Sequence, residues 1–176
     1  MDIRDQLSQF RGPFTPLGLA AAVTACVLDQ ASKLWLLYGF DLAGRGRVAL
    51  APVVELVLVR NYGISYGWFQ GLGVSARWAL LAVTAIAVIF LLTWLARAGS
   101  RLSGLALGLI IGGAIGNAID RLAHDGAVVD FIRLHVTAAG VDHDWYVFNL
   151  ADAAIVAGVA GLLYESVRPD RAAKVP

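Results

Sequence analysis

The chain has 176 residues, 59% of them hydrophobic and only 15% charged, well short of the roughly one-quarter charged residues of a soluble domain. Lipid rather than water is therefore the expected main solvent, and a net charge of +1 carries no signature of nucleic acid or a strongly acidic partner. The single cysteine, Cys26, excludes an intrachain disulfide, and three histidines without cysteine partners make a poor zinc set.

A bilayer core about 30 Å thick takes about 20 apolar residues in a helix. The first candidate span, residues 16–40, contains Asp29 and Lys33. Arg4 and Arg11 ahead of it imitate a signal peptide, but the apolar stretch runs on past both charges without a small-x-small cleavage site. An uncleaved first transmembrane helix is expected, with Cys26 as a small core-filling residue.

Residues 41–77 form a long outer loop. Val48 to Val59 is rich in β-branched residues, which suits short strands, and Pro52 confines that stretch to an edge or a break. Gly63, Gly67, Gly71 and Gly73 then punctuate the aromatic run Tyr66-Gly67-Trp68-Phe69, which suits a membrane interface.

The second span, residues 78–96, is bracketed by Arg77 and Arg97 and holds no charge. The third, residues 102–121, ends in Asp120-Arg121. Its Gly112, Gly113 and Gly116 have the small-residue spacing that lets helices approach closely within a bundle. In the second outer loop, residues 122–144, His135 and His143 near Asp142 and Asp144 read as a solvated polar loop, because no compact metal-ligand spacing is present. The fourth span, residues 145–165, carries Asp152. One membrane domain over residues 1–176 is expected.

Orientation follows from lysine and arginine placement. Four spans put the two termini and the tight middle connection on one side. Those segments are short and basic, with Arg4 and Arg11, then Arg97 and Arg101, then Arg168, Arg171 and Lys174. They are expected in the cytoplasm, and the longer loops outside. Asp29 then lies about 20 Å into the first span at the helical rise, in the outer part of the bilayer. Asp120 closes the third span at its outer end, Asp130 belongs to the outer loop that follows, and Asp152 sits near the outer start of the fourth span. An ionisable group at mid-bilayer costs about 2.5–3.5 kcal/mol on insertion scales. Four carboxylates from separate segments at one depth therefore mark a site.

Local spacing leaves alternatives open. Asp29 and Lys33, four apart in acid-before-base order, form an ion pair that lets one helical turn tolerate two charges. Asn117, Asp120 and Arg121 share a face, where Arg121 either forks onto a carboxylate or snorkels to headgroups. Asn149 faces with Asp152, either donating to a carboxylate or a substrate carbonyl, or making an ordinary interhelical hydrogen bond.

In chain order the sequence shows Asp29-Gln30-x-x-Lys33, then Arg60-Asn61-x-Gly63. Gly112-Gly113-x-x-Gly116-Asn117-x-x-Asp120-Arg121, Val128-Val129-Asp130-Phe131 and Phe148-Asn149-x-Ala151-Asp152 follow. This series, from about residue 15 to residue 165, resembles the lipoprotein signal peptidases (signal peptidase II), four-span bacterial membrane aspartic proteases. The resemblance implies an all-α membrane fold of four transmembrane helices with a small extramembrane β-like cradle on the outer face. It implies cleavage of the signal peptide from prolipoproteins just before a diacylglyceryl-modified cysteine, with Asp130 and Asp152 as the catalytic pair. Asn61, Asn117, Arg121 and Asn149 become site-shaping or substrate-contacting, and Asp29, Lys33 and Asp120 supporting. It implies residence in the bacterial cytoplasmic membrane with the active site towards the outer face. The expected partners are prolipoprotein substrates and membrane lipid, the expected state is a monomer, and no metal or organic cofactor is required. One departure stands out: Ile64, Ser65 and Tyr66 occupy places where the family usually has two small residues and a phenylalanine, which bears on fine substrate preference.

Two close carboxylates cannot both ionise cheaply, so such a pair shares a proton, one member acting as general base on water and the other as acid on the scissile carbonyl. A proton-coupled transporter would instead spread its carboxylates across the bilayer depth. A non-catalytic assembly factor would tolerate replacement of Asp130 and Asp152. The single depth opposes the first alternative, and the ordered motif series opposes both.

Overall fold

Pro16 sits in the first turn of a helix, where its missing N–H costs nothing, and the chain enters helix α1 (Thr15–Leu34) there. A computed structural model of the chain describes residues 12–63, 73–138 and 141–167. The buried residues of α1 are Thr15, Gly18, Ala22, Ala25, Asp29 and Lys33. Their three- and four-residue spacing makes one stripe on one helix face. The helix continues as a single π-helical stretch (Trp35–Gly39) and then a short helix α2 (Leu42–Arg45).

Strands β1 (Val48–Ala51) and β2 (Val54–Asn61) follow, and Pro52 falls in the turn between them, the break expected of a residue without an N–H. Helices α3 (Gly73–Leu95) and α4 (Arg101–Ala123) come next. Ser100 caps α4 by accepting from the Ser103 N–H at 3.0 Å. Strands β3 (Val128–Ala138) and β4 (Val141–Phe148) lead into helix α5 (Leu150–Val167).

Among the described residues, four helices are long and apolar enough to cross a membrane: Thr15–Gly39, Ala76–Leu95, Arg101–Ala123 and Leu150–Val167. The first three agree with the expected spans to within a few residues. The fourth does not, because residues 145–148 belong to β4 and the helix begins at Leu150. Trp145-Tyr146-Val147-Phe148 is as apolar as a helix start, and a short apolar run does not by itself tell strand from helix. The expected polar loop 122–144 is likewise mostly sheet, and His135 lies on β3 rather than in a loop. Its Nε2 lies 3.6 Å from Glu55, which also pairs with the buried Arg133 at 2.5 Å.

The sheet is a meander of order β1-β2-β3-β4, antiparallel throughout. Leu36, Leu42, Leu56 and Phe131 form the apolar cluster that holds it to the end of α1. Helix α4 is the hub of the bundle, packed against α1, α3 and α5. Its glycines are buried inside the bundle, and backbone of α1 and α5 lies where side chains would otherwise project from Gly112 and Gly113. At the far end of the bundle the hydroxyls of Ser100 and Ser103 both donate to Glu165 of α5. The outward faces, with Val23 and Val27 on α1, Ile86 and Phe90 on α3 and Val156 on α5, leave large apolar side chains exposed.

Candidate active site

The carboxylates anticipated at one depth converge where α1, α4, α5 and the β2–β3 pair meet. Two layers can be told apart by what neutralises them.

The inner layer is an ion triad. Lys33 Nζ lies 2.7 Å from Asp29 Oδ2 and 2.7 Å from Asp120 Oδ2, and all three side chains are buried. Each carboxylate also accepts a backbone N–H from the neighbouring element. Asp29 Oδ1 takes the Ala151 N–H (2.9 Å) in the first turn of α5, where a negative charge also suits the helix dipole. Asp120 Oδ2 takes the Val129 N–H (2.9 Å) at the start of β3. The Gln30 amide donates to Asp120 Oδ1 (2.9 Å), the Gly116 carbonyl (3.1 Å) and Asp29 Oδ2 (3.2 Å). The triad therefore sets the placement of the two chain segments that carry Asp130 and Asp152. Gly116 makes room for it, since a Cβ there would come within 2.7 Å of Asp29 Oδ2.

The outer layer is Asp130 and Asp152, held by amides. Asn149 caps α5 through its Oδ1, which accepts the Asp152 N–H at 2.9 Å, while Asp152 Oδ2 accepts the Asn149 N–H at 3.3 Å. This reciprocal capping box fixes Asp152 in the first turn. With its Oδ1 so occupied, the Asn149 amide points its Nδ2 at Asp130 Oδ1 (2.7 Å), with Asn117 Oδ1 (3.1 Å) as a further acceptor. Asn61 is oriented in the same way. Its Oδ1 accepts the Gly63 N–H (2.8 Å), where a φ of +71° suits glycine, and its Nδ2 donates to Asp130 Oδ2 (2.9 Å). Asn117 Oδ1 faces the Lys33 ammonium (3.4 Å), so its Nδ2 turns to Asp152 Oδ1 (2.9 Å). Three asparagines thus have their carbonyls pinned by donors and their N–H groups aimed at two carboxylates.

Asp130 is almost fully buried, and Asp152 is partly open along the edge of an apolar groove. Burial pushes the Asp130 carboxyl up to about 6; the Asn61 and Asn149 amides oppose the rise and the Asp152 charge adds to it. A group titrating near neutrality beside a partner carboxylate, each oxygen held by one donor, suits proton transfer in both directions.

Arg121 does not fork onto a carboxylate. Its Nη1 reaches only the Asn117 carbonyl at 3.4 Å, and its Nε is buried without a hydrogen-bond partner. Proximity along one helix face does not fix where so long a side chain turns. Gln30 and Asn117 have larger structural parts than spacing alone indicated. The signal for Gln30 was a polar amide next to Asp29 in an otherwise apolar run. The departing positions Ile64, Ser65 and Tyr66, the aromatic run through Phe69 and the basic residues at both termini lie outside the described residues.

The family model described as signal peptidase (SPase) II matches residues 21–168. A protein of Rhodopseudomonas palustris named lipoprotein signal peptidase is 56% identical over 160 residues, covering 91% of this chain and 97% of that one. A protein of Nitrobacter hamburgensis with the same name is 58% identical over 164 residues, covering 92% and 99%. A solved bacterial membrane enzyme superposes with a TM-score of 0.72 over 92% of this chain and 93% of that chain, at 23% identity, a likeness of fold. With the family model matched over most of its length and relatives identical at more than half of the aligned positions, this chain belongs to the signal peptidase II family.

Proposed function

We propose that the chain is a membrane aspartic endopeptidase that frees diacylglyceryl-modified prolipoproteins of their signal peptides, cutting before the lipidated cysteine through Asp130 and Asp152. Family membership makes it a lipoprotein signal peptidase. The observation that carries the residue assignment is Asn149, which caps the helix bearing Asp152 and donates to Asp130 with the same side chain.

Asp152, the more open of the two, is the general base, and Asp130 holds the shared proton. As water adds to the scissile carbonyl carbon, Asp152 takes a proton from it and Asp130 gives its proton to the carbonyl oxygen. When the tetrahedral diol collapses, the C–N bond breaks. The amine leaves with the proton from Asp152, and a hydroxyl proton returns to Asp130, so the pair ends as it began. Asn61, Asn117 and Asn149 position the carboxylates. Arg121, with no carboxylate partner among the described residues, is left for substrate.

Both termini and the α3–α4 connection face the cytoplasm and the sheet faces outward, by the charge bias of the short segments. That orientation puts the site where a signal helix and its lipid arrive laterally from the bilayer and water arrives from outside. The proposed state is a monomer, a reading supported by the glycine face of α4 being filled by α1 and α5.

The test is signal-peptide release from a diacylglyceryl-modified prolipoprotein and its unmodified form by purified protein in lipid. Cleavage of the lipidated form only, lost in both Asp130→Asn and Asp152→Asn, is the expected outcome. Full turnover by either variant removes that residue from the pair.

A further inference from the structure

The end of the bundle away from the sheet holds a polar cluster that the chemistry above does not use. Glu165, in the last turn of α5, accepts the hydroxyls of Ser100 and Ser103, one on each carboxylate oxygen. The Ser103 N–H in turn fixes the Ser100 hydroxyl oxygen at 3.0 Å. This half-buried acid stands at a cavity of about 540 Å³ between the ends of α3 and α5, with Trp94, Val159, Leu162 and Leu163 on its walls. Among the described residues Glu165 is the one acid at this end of the bundle, while Arg97 and Arg101 on the α3–α4 connection are exposed.

A stripe on α5 joins this cavity to the catalytic pair. Asp152, Val156, Val159, Leu163 and Ser166 recur at four- and three-residue spacing, so they share one helix face. Val156, Val159 and Leu163 are exposed, and the spacing is that of a seam on which a second helix packs. The stripe alone names no occupant, but its two ends do. Asp152 stands at one, and at the other, beside Ser166, stands Glu165, about 20 Å away along α5 at the helical rise.

A secretory signal peptide has a matching layout: a cationic n-region, then about 7–15 apolar residues, then the cut. About 13 residues of helix cover the same 20 Å. With its cut at Asp152 and its apolar segment along the stripe, such a peptide brings its n-region to Glu165, whichever side of the membrane that end faces. The apolar segment exchanges lipid for protein at little gain, so the pairing of charges supplies the discrimination.

We infer that Glu165, held by Ser100 and Ser103, receives the positively charged n-region of the signal peptide and so selects substrates by the distance from that charge to the cut. The inference rests on the lipoprotein signal peptidase reading and adds to it a second point of recognition. The contact is the same in the ground and transition states, so it acts on KM rather than kcat.

The experiment measures kcat and KM for lipidated prolipoprotein peptides that differ only in the n-region, which carries lysines or glutamines, in bicelles of zwitterionic lipid. Wild type should favour the lysine form by about fivefold in kcat/KM, through KM, the scale of a partly exposed ion pair. High salt should shrink that preference. Glu165→Gln should level the two peptides. Glu165→Lys should prefer an n-region of glutamates to one of lysines, an inversion that a purely structural role does not produce. In wild type alone, about four residues inserted into the apolar segment carry the lysines about 6 Å past Glu165 and should remove the preference. A lysine preference of unchanged size in Glu165→Gln, or one indifferent to the insertion, would overturn the inference. So would equal losses on both peptides in Glu165→Gln, which would make the carboxylate a seat for a lipid amine or a joint between α4 and α5. Cleavage of neither peptide by wild type would count against the enzymatic assignment, and the inference would fall with it.

Discussion

Two pairs of carboxylates lie side by side in this protein, and they are stabilised in opposite ways. Asp29 and Asp120 share the Lys33 ammonium, so their charges are compensated by a cation and their oxygens by backbone N–H groups. Asp130 and Asp152 pair with no cation among the described residues and are held by the side chains of Asn61, Asn117 and Asn149. An ammonium 2.7 Å from two carboxylates on different helices ties those helices together as a joint. A neutral amide orients a carboxylate and favours its charge only in part, so at Asp130 burial and the neighbouring charge outweigh it. The comparison teaches that, in this bundle, the hydrogen-bond donor divides the four acids into a cation-bound pair and an amide-held pair, and the proposed chemistry falls to the second.

The largest expected effect tests that division directly. Asp130→Asn and Asp152→Asn should each lower turnover by about 10,000-fold, the scale of losing a group that acts as part of a catalytic unit. Their stability should fall by only about 1–3 kcal/mol, since an asparagine keeps the shape but sets one N–H group against a donor that the carboxylate had accepted. Activity above about a hundredth of wild type would break the comparison.

Lys33→Met should do the reverse. It leaves two buried carboxylates without their cation and should cost about 3–5 kcal/mol of stability, read as a marked drop in the unfolding midpoint in detergent. A Lys33→Met protein as stable as wild type would mean that the triad is not a joint. Gly116→Ala should be milder, about 1–3 kcal/mol, because its methyl group must displace an Asp29 carboxylate already fixed by Lys33 and the Ala151 N–H.

The smallest effect is the most specific. With Asp130 as the proton holder and its carboxyl near 6, kcat/KM should fall as pH rises above about 6, because the acid form is lost there. The Asn61 amide favours the ionised form, so Asn61→Ala should raise the Asp130 value and carry the alkaline limb to higher pH, by about one pH unit for one hydrogen bond to a charged group. A limb that stays in place or moves to lower pH would assign the proton to the other aspartate.

Much of this arrangement is legible in the residues. The four apolar segments, the depth of the acids and the Asp29–Lys33 pair follow from composition, helical rise and four-residue spacing, because a helix repeats its geometry regardless of its surroundings. The motif series singles out Asp130 and Asp152. The start of the last helix was misplaced, since Trp145 to Phe148 is apolar enough for either state and only pairing with β3 decides it. Spacing left Arg121 open between a carboxylate and the headgroups, and the fold turns its Nη1 to the Asn117 carbonyl.

What the sequence by itself determined is local and periodic: which segments are apolar enough for a bilayer, which faces carry charge, and where a helix must be capped. Tertiary structure alone decided which acids share Lys33 and which are left to asparagines. It also decided how the amides of Asn61, Asn117 and Asn149 are turned, and that Asp152 opens onto a groove. Those outcomes depend on distances between segments up to 122 positions apart, as between Asp29 and Ala151. A carboxylate's proton affinity likewise follows from the donors and the burial that meet it in space, and its place in the chain carries no record of either.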